Sequence, residues 1–503
     1  MLFNSINFLI FFPAAVLSYY IVPYKIRYIW LLAVSYFFYY CFNPSYVVLL
    51  AASTAITYVG GLLLSQSKGK EPGDEQGKVN KKTFWAKAIV AFSFLTHLGM
   101  LFFFKYFDFV LGNLFAVINA VNPDISKPGF NLLLPAGISF YTFKALSYIM
   151  DVYRGDMKAE RNPLKYGLYL SFFPQLAAGP IERASNFLKQ LEEKHRFNYN
   201  QVRDGVLLML WGFFQKLVIA DRVAILVNQT FDYYDQYSGL QIMVAVLFYA
   251  VQIYCDFSGY SNIAIGASQV LGFNLMTNFE TPYLSKSVSE FWRRWHISLS
   301  SWFRDYLYIP LGGNRLGKKK KYRNIMIVFL ASGLWHGASW HYVIWGGLNG
   351  IYQIIGTELM PVRKWICKKA DIRTEVFSHK LLKTIITFLL ICLSWVFFRA
   401  RDTKSAVLIL IKMFQNINIG MIFDGSLYKM NLNAVEFWIA VGSIAVLLAV
   451  SVLKYKGVRV RAALAEQGIW FRFLAYLGII FAILIFGIYG PGFNASEFIY
   501  FKY

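Results

Sequence analysis

The sequence predicts an all-α, polytopic integral membrane fold, and three observations carry that prediction. Hydrophobic residues make up 57% of the 503 positions and charged residues only 15%, against about 45–50% and about 25% in soluble domains. Apolar runs of about 20 residues, the length that crosses a bilayer as a helix, recur from one end of the chain to the other. Lys and Arg gather between those runs and give a formal net charge of +23.

The first run, 4–22, follows no basic stretch and precedes no small-residue cleavage site. It is therefore expected to be a retained helix rather than a signal peptide, with the mature chain beginning near Met1. Runs 28–42 and 46–65 follow, joined by the uncharged turn FNPSY. The stretch 66–83, QSKGKEPGDEQGKVNKKT, is polar and lacks apolar periodicity, which predicts a flexible cytoplasmic loop. After 84–106, the segments near 132–150 and 164–179 are interrupted by Pro and Gly, so each reads as re-entrant or broken. Further runs cover 204–220, 238–256, 324–346, 381–398, 433–453 and 470–489. Together these make about ten to twelve membrane helices or re-entrant elements. No repeat at a fixed period and no long linker interrupts them, so a single helical membrane domain over 1–503 is expected.

Positive charge is retained on the cytoplasmic side during insertion. Lys25 and Arg27 follow the first run, and Lys68, Lys70, Lys78, Lys81, Lys82 and Lys87 follow the third, which places the N-terminus outside. NRLGKKKKYR at 314–323, VRKWICKKADIR at 362–373 and KYKGVRVR at 454–461 are cytoplasmic by the same rule. The last run then leads outward and leaves 490–503, GPGFNASEFIYFKY, as an external aromatic tail. The basic loops suit anionic lipid headgroups or an anionic soluble donor; a chain this apolar argues against nucleic acid. Cys41, Cys255, Cys367 and Cys392 show no C-x-x-C spacing, which argues against a disulfide framework or a zinc site.

Two stretches carry candidate chemistry. SEFWRRWHISLSSWFRDYLYIPLGGNR at 289–315 sets Arg293, Arg294, His296, Arg304 and Asp305 among Trp292, Trp295, Trp302, Tyr306 and Tyr308. An amphipathic interfacial helix with snorkelling arginines would produce the same pattern. LASGLWHGASWHYVIWGGLNG at 330–350 places His336 about a dozen residues into an apolar run, hence near mid-membrane, where an ionisable group is a functional candidate by default. Burial there favours the neutral imidazole, which accepts a proton. His341 reads as a polar group near the end of the same segment, on another helical face. A metal centre would need His296, His336, His341, Asp256 and Asp305 to converge. No H-E-x-x-H is present and no carboxylate lies near His336 in sequence, so no metal is expected. No G-x-S-x-G elbow is present either; DFSGYS at 256–261 lacks the first glycine. A neutral, buried histidine suits one reaction well: taking the proton of an alcohol as it attacks a thioester.

The 289–315 stretch followed by LWHGASW resembles the membrane-bound O-acyltransferase family, in particular its bacterial branch of alginate and peptidoglycan O-acetyltransferases. LPAGISFYTFKALSYIMDVYRG at 134–155, FFPQLAAGPIER at 172–183, YCDFSGYSNIAIGASQVLGF at 254–273, WVFFRA at 395–400 and the opening MLFNSINFLIFF are similar to that branch as well. The resemblance implies helices around a tunnel that crosses the membrane. It implies His336 as catalytic base and His296 as the histidine at the cytoplasmic side, where the acyl donor enters. Trp335, Arg304 and Asp305 match positions that shape the pocket or hold His296, and Asp256 and Trp295 fall in the same tunnel or pocket set. Asn262 stands where an aspartate is expected after Gly-Tyr-Ser, and Asn349 where relatives often carry a histidine.

The tail FIYFKY, 498–503, reads either as an interfacial aromatic belt or, from its resemblance to the C-terminal tyrosine motif of a small partner in teichoic-acid D-alanylation, as an acyl relay through Tyr500. The expectation is a multi-pass O-acyltransferase of the bacterial cytoplasmic (inner) membrane, with both termini outside and no permanently bound cofactor. The donor is expected to be acetyl-CoA or another acyl thioester, the acceptor an extracytoplasmic or cell-wall polysaccharide, and the partner an external hydrolase-fold acetyltransferase. The rival readings are a polytopic transporter, for which no inverted repeat is evident, and a scaffold of a polysaccharide export complex.

Overall fold

A computed structural model describes residues 1–67, 81–122, 125, 134–176 and 179–489, and among the described residues every regular element is helical. Most of the 66–83 loop and the whole 490–503 tail, Tyr500 included, lie outside them. The chain divides into two compact units, Met1–Gly205 with Ala264–Met276, and Val206–Ile263 with Thr277–Tyr503. Two of the three boundaries fall inside continuous helices, α10 and α12, and the third lies in the non-helical stretch between Val270 and Pro282.

The first unit comprises α1 (Ile6–Ile21), α2 (Arg27–Tyr40), α3 (Val47–Ser67), α4 (Lys81–Leu101), α5 (Phe107–Asn119), α6 (Ile138–Arg154), α7 (Pro163–Ser171), α8 (Phe173–Leu176) and α9 (Ala184–Gln190). In it, α3 packs on α4, α6 and α7, and α2 packs on α7. Helix α6 is buried along most of its length and carries Lys144 into the interior. The Lys144 ammonium donates to the Tyr169 and Leu170 carbonyls and, at 2.8 Å, to Gln175 Oε1. A buried cation needs such partners to offset its lost hydration.

The second unit opens with the end of α10 (Tyr199–Phe213), which runs through a π-helical turn, Phe214–Ala220, into α11 (Asp221–Asp232). Then come α12 (Gly239–Val270), α13 (Val288–Arg294), α14 (Ile297–Phe303), α15 (Lys318–His336), α16 (Trp340–Glu358), α17 (Met360–Lys369), α18 (Phe377–Arg399), α19 (Thr403–Met413), α20 (Ala434–Tyr455), α21 (Val460–Ala465) and α22 (Ile469–Phe486). Gly212 of α10 lies against the Gly259 carbonyl of α12, where a Cβ would come within 2.6 Å of the oxygen. That close approach brings Lys216, in the π-turn, to Asp256 at 2.6 Å, while Asp221 sits 2.8 Å from the same ammonium.

Six helices among the described residues are long and apolar enough to cross a membrane: Pro44–Gln66, Phe84–Asn119, Gly239–Val270, Phe377–Arg399, Ala434–Tyr455 and Ile469–Phe486. These correspond to six of the runs read from the sequence. Four other runs differ. Run 4–22 gives the 16-residue α1, with Pro13 inside it, and run 28–42 the 14-residue α2. Run 204–220 ends in the π-turn instead of terminating a span. Run 324–346 is not one span: α15 ends at His336, the backbone extends through Gly337 and Ser339, and α16 begins at Trp340. Hydropathy runs straight through this reversal because the residues that make it, Gly-Ala-Ser, are small rather than charged. The segment 164–179 is likewise broken, at Phe172.

Helices α15 and α16 thus form an antiparallel hairpin. A Cβ on Gly333 would lie 2.3 Å from the Tyr342 carbonyl oxygen, and one on Gly346 would lie 2.2 Å from that of Phe329. Only glycine leaves room for this contact. At the open end, Lys318 Nζ reaches Glu358 at 2.7 Å and Tyr322 donates to the same carboxylate. The bonds from Lys318 and Tyr322 hold the Glu358 carboxyl below its ordinary pKa.

Candidate active site

The hairpin tip delivers His336. As the last residue of α15 it is 3% exposed, and its ring meets Trp335 at 4.8 Å, Trp345 of α16 at 5.0 Å and Phe398 of α18 at 5.2 Å, all edge-on. Its place at a helix end corrects the expectation that 324–346 is a single apolar segment running on past it. It also puts His341 on the following helix rather than on another face of the same one. His341 Nδ1 donates to the Phe397 carbonyl at 2.8 Å and so ties α16 to α18.

His296 sits at the break between α13 and α14 and is 1% exposed. Its φ of 44° and ψ of 54° lie in the left-handed region, which costs a residue with a Cβ about 1–2 kcal/mol. Such an outlier persists only where the surroundings over-determine it. Here Glu280 N–H donates to the Arg294 carbonyl and Ile297 N–H to the Asn278 carbonyl, both at 2.9 Å, so the chain is pinned on either side of the histidine. Thr281, in the facing segment, is left-handed as well, with φ 45°. The His296 ring stands at 90° to Phe257 at 4.5 Å, and its centroid is 6.0 Å from Trp335. Trp335 therefore borders both histidines.

The side chain that holds His296 is Asn278, whose Oδ1 lies 3.1 Å from Nδ1. Sequence reasoning missed this residue. It is an amide three residues before the Thr281-Pro282 turn, with Asn274, Thr277 and Glu280 nearby, and it belongs to none of the motifs that pointed to chemistry. Arg304 and Asp305, expected to shape the pocket or hold His296, pair with each other at 2.8 Å in a π-turn, and the Arg304 side chain is 63% exposed. Asp256 is the buried partner of Lys216. Trp295 packs into an aromatic cluster with Tyr254, Phe279, Phe291 and Trp395, behind the histidine it precedes. Among the described residues no three His, Cys, Asp or Glu side chains gather into a metal-holding set.

Both departures from the family pattern have structural employment. Asn262 Nδ2 donates to Gln215 Oε1 at 2.7 Å. Asn349 accepts from Trp292 Nε1 at 3.1 Å and donates to the Trp345 carbonyl at 2.9 Å, which fixes the wall beside His336.

Two imidazoles buried around one indole, each in an apolar aromatic lining, match the pattern in which the sequence resembled an acyltransferase. The profile of the membrane-bound O-acyltransferase family matches residues 158–398, which hold both histidines. The probable alginate O-acetylase AlgI of Azotobacter vinelandii is 36% identical over 411 residues, covering 81% of this chain and 76% of that protein. The chain belongs to the membrane-bound O-acyltransferase family. The peptidoglycan O-acetyltransferase of Helicobacter pylori is 35% identical over 442 residues, 82% of this chain and 79% of its own length. The teichoic acid D-alanyltransferase of Bacillus subtilis is 30% identical over 293 residues, 56% of this chain and 72% of its own. This member of the family is thus a multi-pass membrane acyltransferase.

Proposed function

We propose that this acyltransferase takes an acetyl group from a cytoplasmic thioester, acetyl-CoA, and passes it across the bacterial inner membrane for O-acetylation of an extracytoplasmic polysaccharide. The observation that carries the reading is the convergence of His296 and His336 on Trp335, inside a wall of Phe257, Trp345 and Phe398. Such an apolar lining keeps water from the two rings. His336 then serves as general base and His296 meets the donor. A glycan acceptor is favoured because relatives matched over most of the chain are named as alginate and peptidoglycan O-acetyltransferases.

In this reading both termini lie outside and Tyr500 is the first acceptor. Its phenol oxygen attacks the thioester carbonyl carbon, its proton passes to His336, and the carbon–sulfur bond breaks. The thiol leaves with that proton. An external hydrolase-fold partner takes the acetyl group from the tyrosyl ester to a sugar hydroxyl, regenerating the phenol.

The test uses purified protein and acetyl-CoA labelled in the acetyl group. Thioester cleavage is expected, falling by about 10²–10⁴-fold in His336→Ala. Uptake of label without cleavage would instead make the chain a transporter. Polymer acetylation that survives undiminished in cells carrying Tyr500→Phe would remove the relay and leave the rest of the reading in place.

A further inference from the structure

We propose that Asn278 is a positioning residue that locks His296 into the tautomer protonated on Nδ1 and so offers Nε2 to the substrate as an acceptor. This rests on the acyl-transfer reading and deepens it.

The assignment follows from what surrounds the amide. Asn278 is wholly buried. Its Oδ1 lies 3.3 Å from the Ser298 main-chain nitrogen, 3.0 Å from Ser298 Oγ and 3.1 Å from His296 Nδ1, while its Nδ2 lies 3.0 Å from Ser261 Oγ. A main-chain N–H only donates. The amide atom facing it is therefore the oxygen, since the flipped amide would set two donors against each other. An amide oxygen only accepts, so the remaining neighbour, His296 Nδ1, must be a donor. A neutral imidazole carries one N–H, and with that hydrogen on Nδ1 the lone pair resides on Nε2.

The backbone completes the device. Asn278 binds the same short segment three ways: its carbonyl takes the Ile297 N–H and its amide oxygen takes the Ser298 N–H and hydroxyl, immediately after the left-handed His296. Side-chain orientation and tautomer are thus set by one residue. The arrangement is that of an orienter bonded to one nitrogen of a histidine with the lone pair left on the other, which recurs wherever a histidine has to accept a proton in a fixed direction.

For acyl transfer the consequence is directional. A neutral His296 cannot protonate the departing sulfur from Nε2. It accepts a hydrogen bond there from an N–H or O–H group of the thioester's carrier and holds the donor in place for attack.

The experiment measures acetyl-CoA cleavage by the purified full chain for Asn278→Ala, Asn278→Asp, His296→Ala and the Asn278→Ala/His296→Ala double variant, with monodispersity checked for each. Asn278→Ala is expected to lower kcat by about 10–100-fold, as loss of a histidine's orienting partner commonly does. Asn278→Asp, which still presents an acceptor to Nδ1–H, is expected to recover most of that loss. The double variant is expected to be no slower than His296→Ala, because Asn278 acts through that ring. Full turnover in Asn278→Ala with His296→Ala inactive would overturn this inference alone, as would losses that multiply in the double variant. Full turnover in His296→Ala would overturn both this inference and the role given to His296 above. Should Asn278→Ala aggregate, Asn278→Asp decides: turnover near wild type supports the inference, and a loss as deep as that of His296→Ala overturns it.

Discussion

His336 and His341 share one short motif, yet the structure employs them differently. The His336 ring faces three aromatic rings at the hairpin tip, whereas His341 donates to the Phe397 carbonyl. Replacing His341 by Ala leaves that buried carbonyl to lose its partner, which costs about 1–3 kcal/mol. The expected outcome for His341→Ala is a lower melting temperature in detergent with acetyl-CoA cleavage retained in the folded fraction. His336→Ala is expected to lose turnover even in its folded fraction. A cleavage rate for His341→Ala as low as that for His336→Ala would make both histidines part of the chemistry.

The element that matters most is the α15–α16 hairpin, and it depends on glycine. At Gly346 a Cβ would sit 2.2 Å from the Phe329 carbonyl oxygen, and backbone cannot retreat as a flexible side chain can. Gly346→Ala is expected to destabilise the protein by about 1–3 kcal/mol, in the range of overpacked cores, and to slow cleavage although Gly346 touches no reacting group; thermal unfolding and a rate measurement check both. This hairpin also shows how much was legible beforehand. His296 and His336 were readable as polar groups in apolar stretches and Trp335 only through the family resemblance, and the structure brings the three side by side. The reversal at Gly337–Ser339 was not readable, since hydropathy stays high on both sides of three small residues. Nor was Asn278, because its value lies in meeting Ser298 and His296 across a turn, a contact that no periodicity announces. Arg304 and Asp305 pair with each other and the Arg304 side chain is exposed; charge in an apolar stretch looks functional whichever way it faces.

At the scale of the molecule, the net charge of +23 resides almost wholly outside the apolar helices. The cluster of Lys216, Asp221 and Asp256, with side chains 2–3% exposed, is an exception, and it joins the π-turn after α10 to α12. Removing one partner of a buried ion pair costs about 3–5 kcal/mol, because the charge left behind stays desolvated. Lys216→Met is therefore expected to reduce the folded yield sharply, and Lys216→Met with Asp256→Leu to recover part of it. Equal yields for the two variants would show that the cluster contributes nothing through charge. In sealed vesicles the proposed direction of transfer makes a separate demand: with acetyl-CoA on the cytoplasmic face only, label should reach an acceptor on the opposite face while the coenzyme stays behind.

Trp335, whose indole borders both imidazoles, has an optical consequence. A protonated imidazole in contact with an indole quenches its fluorescence, whereas a neutral one does so weakly. Most of the 13 tryptophans are spectators to that event, so the difference between the emission of the protein and that of Trp335→Phe isolates a built-in gauge of histidine charge. Followed in a stopped flow after mixing with donor, that gauge would time the arrival and departure of a proton inside the membrane domain without any added label.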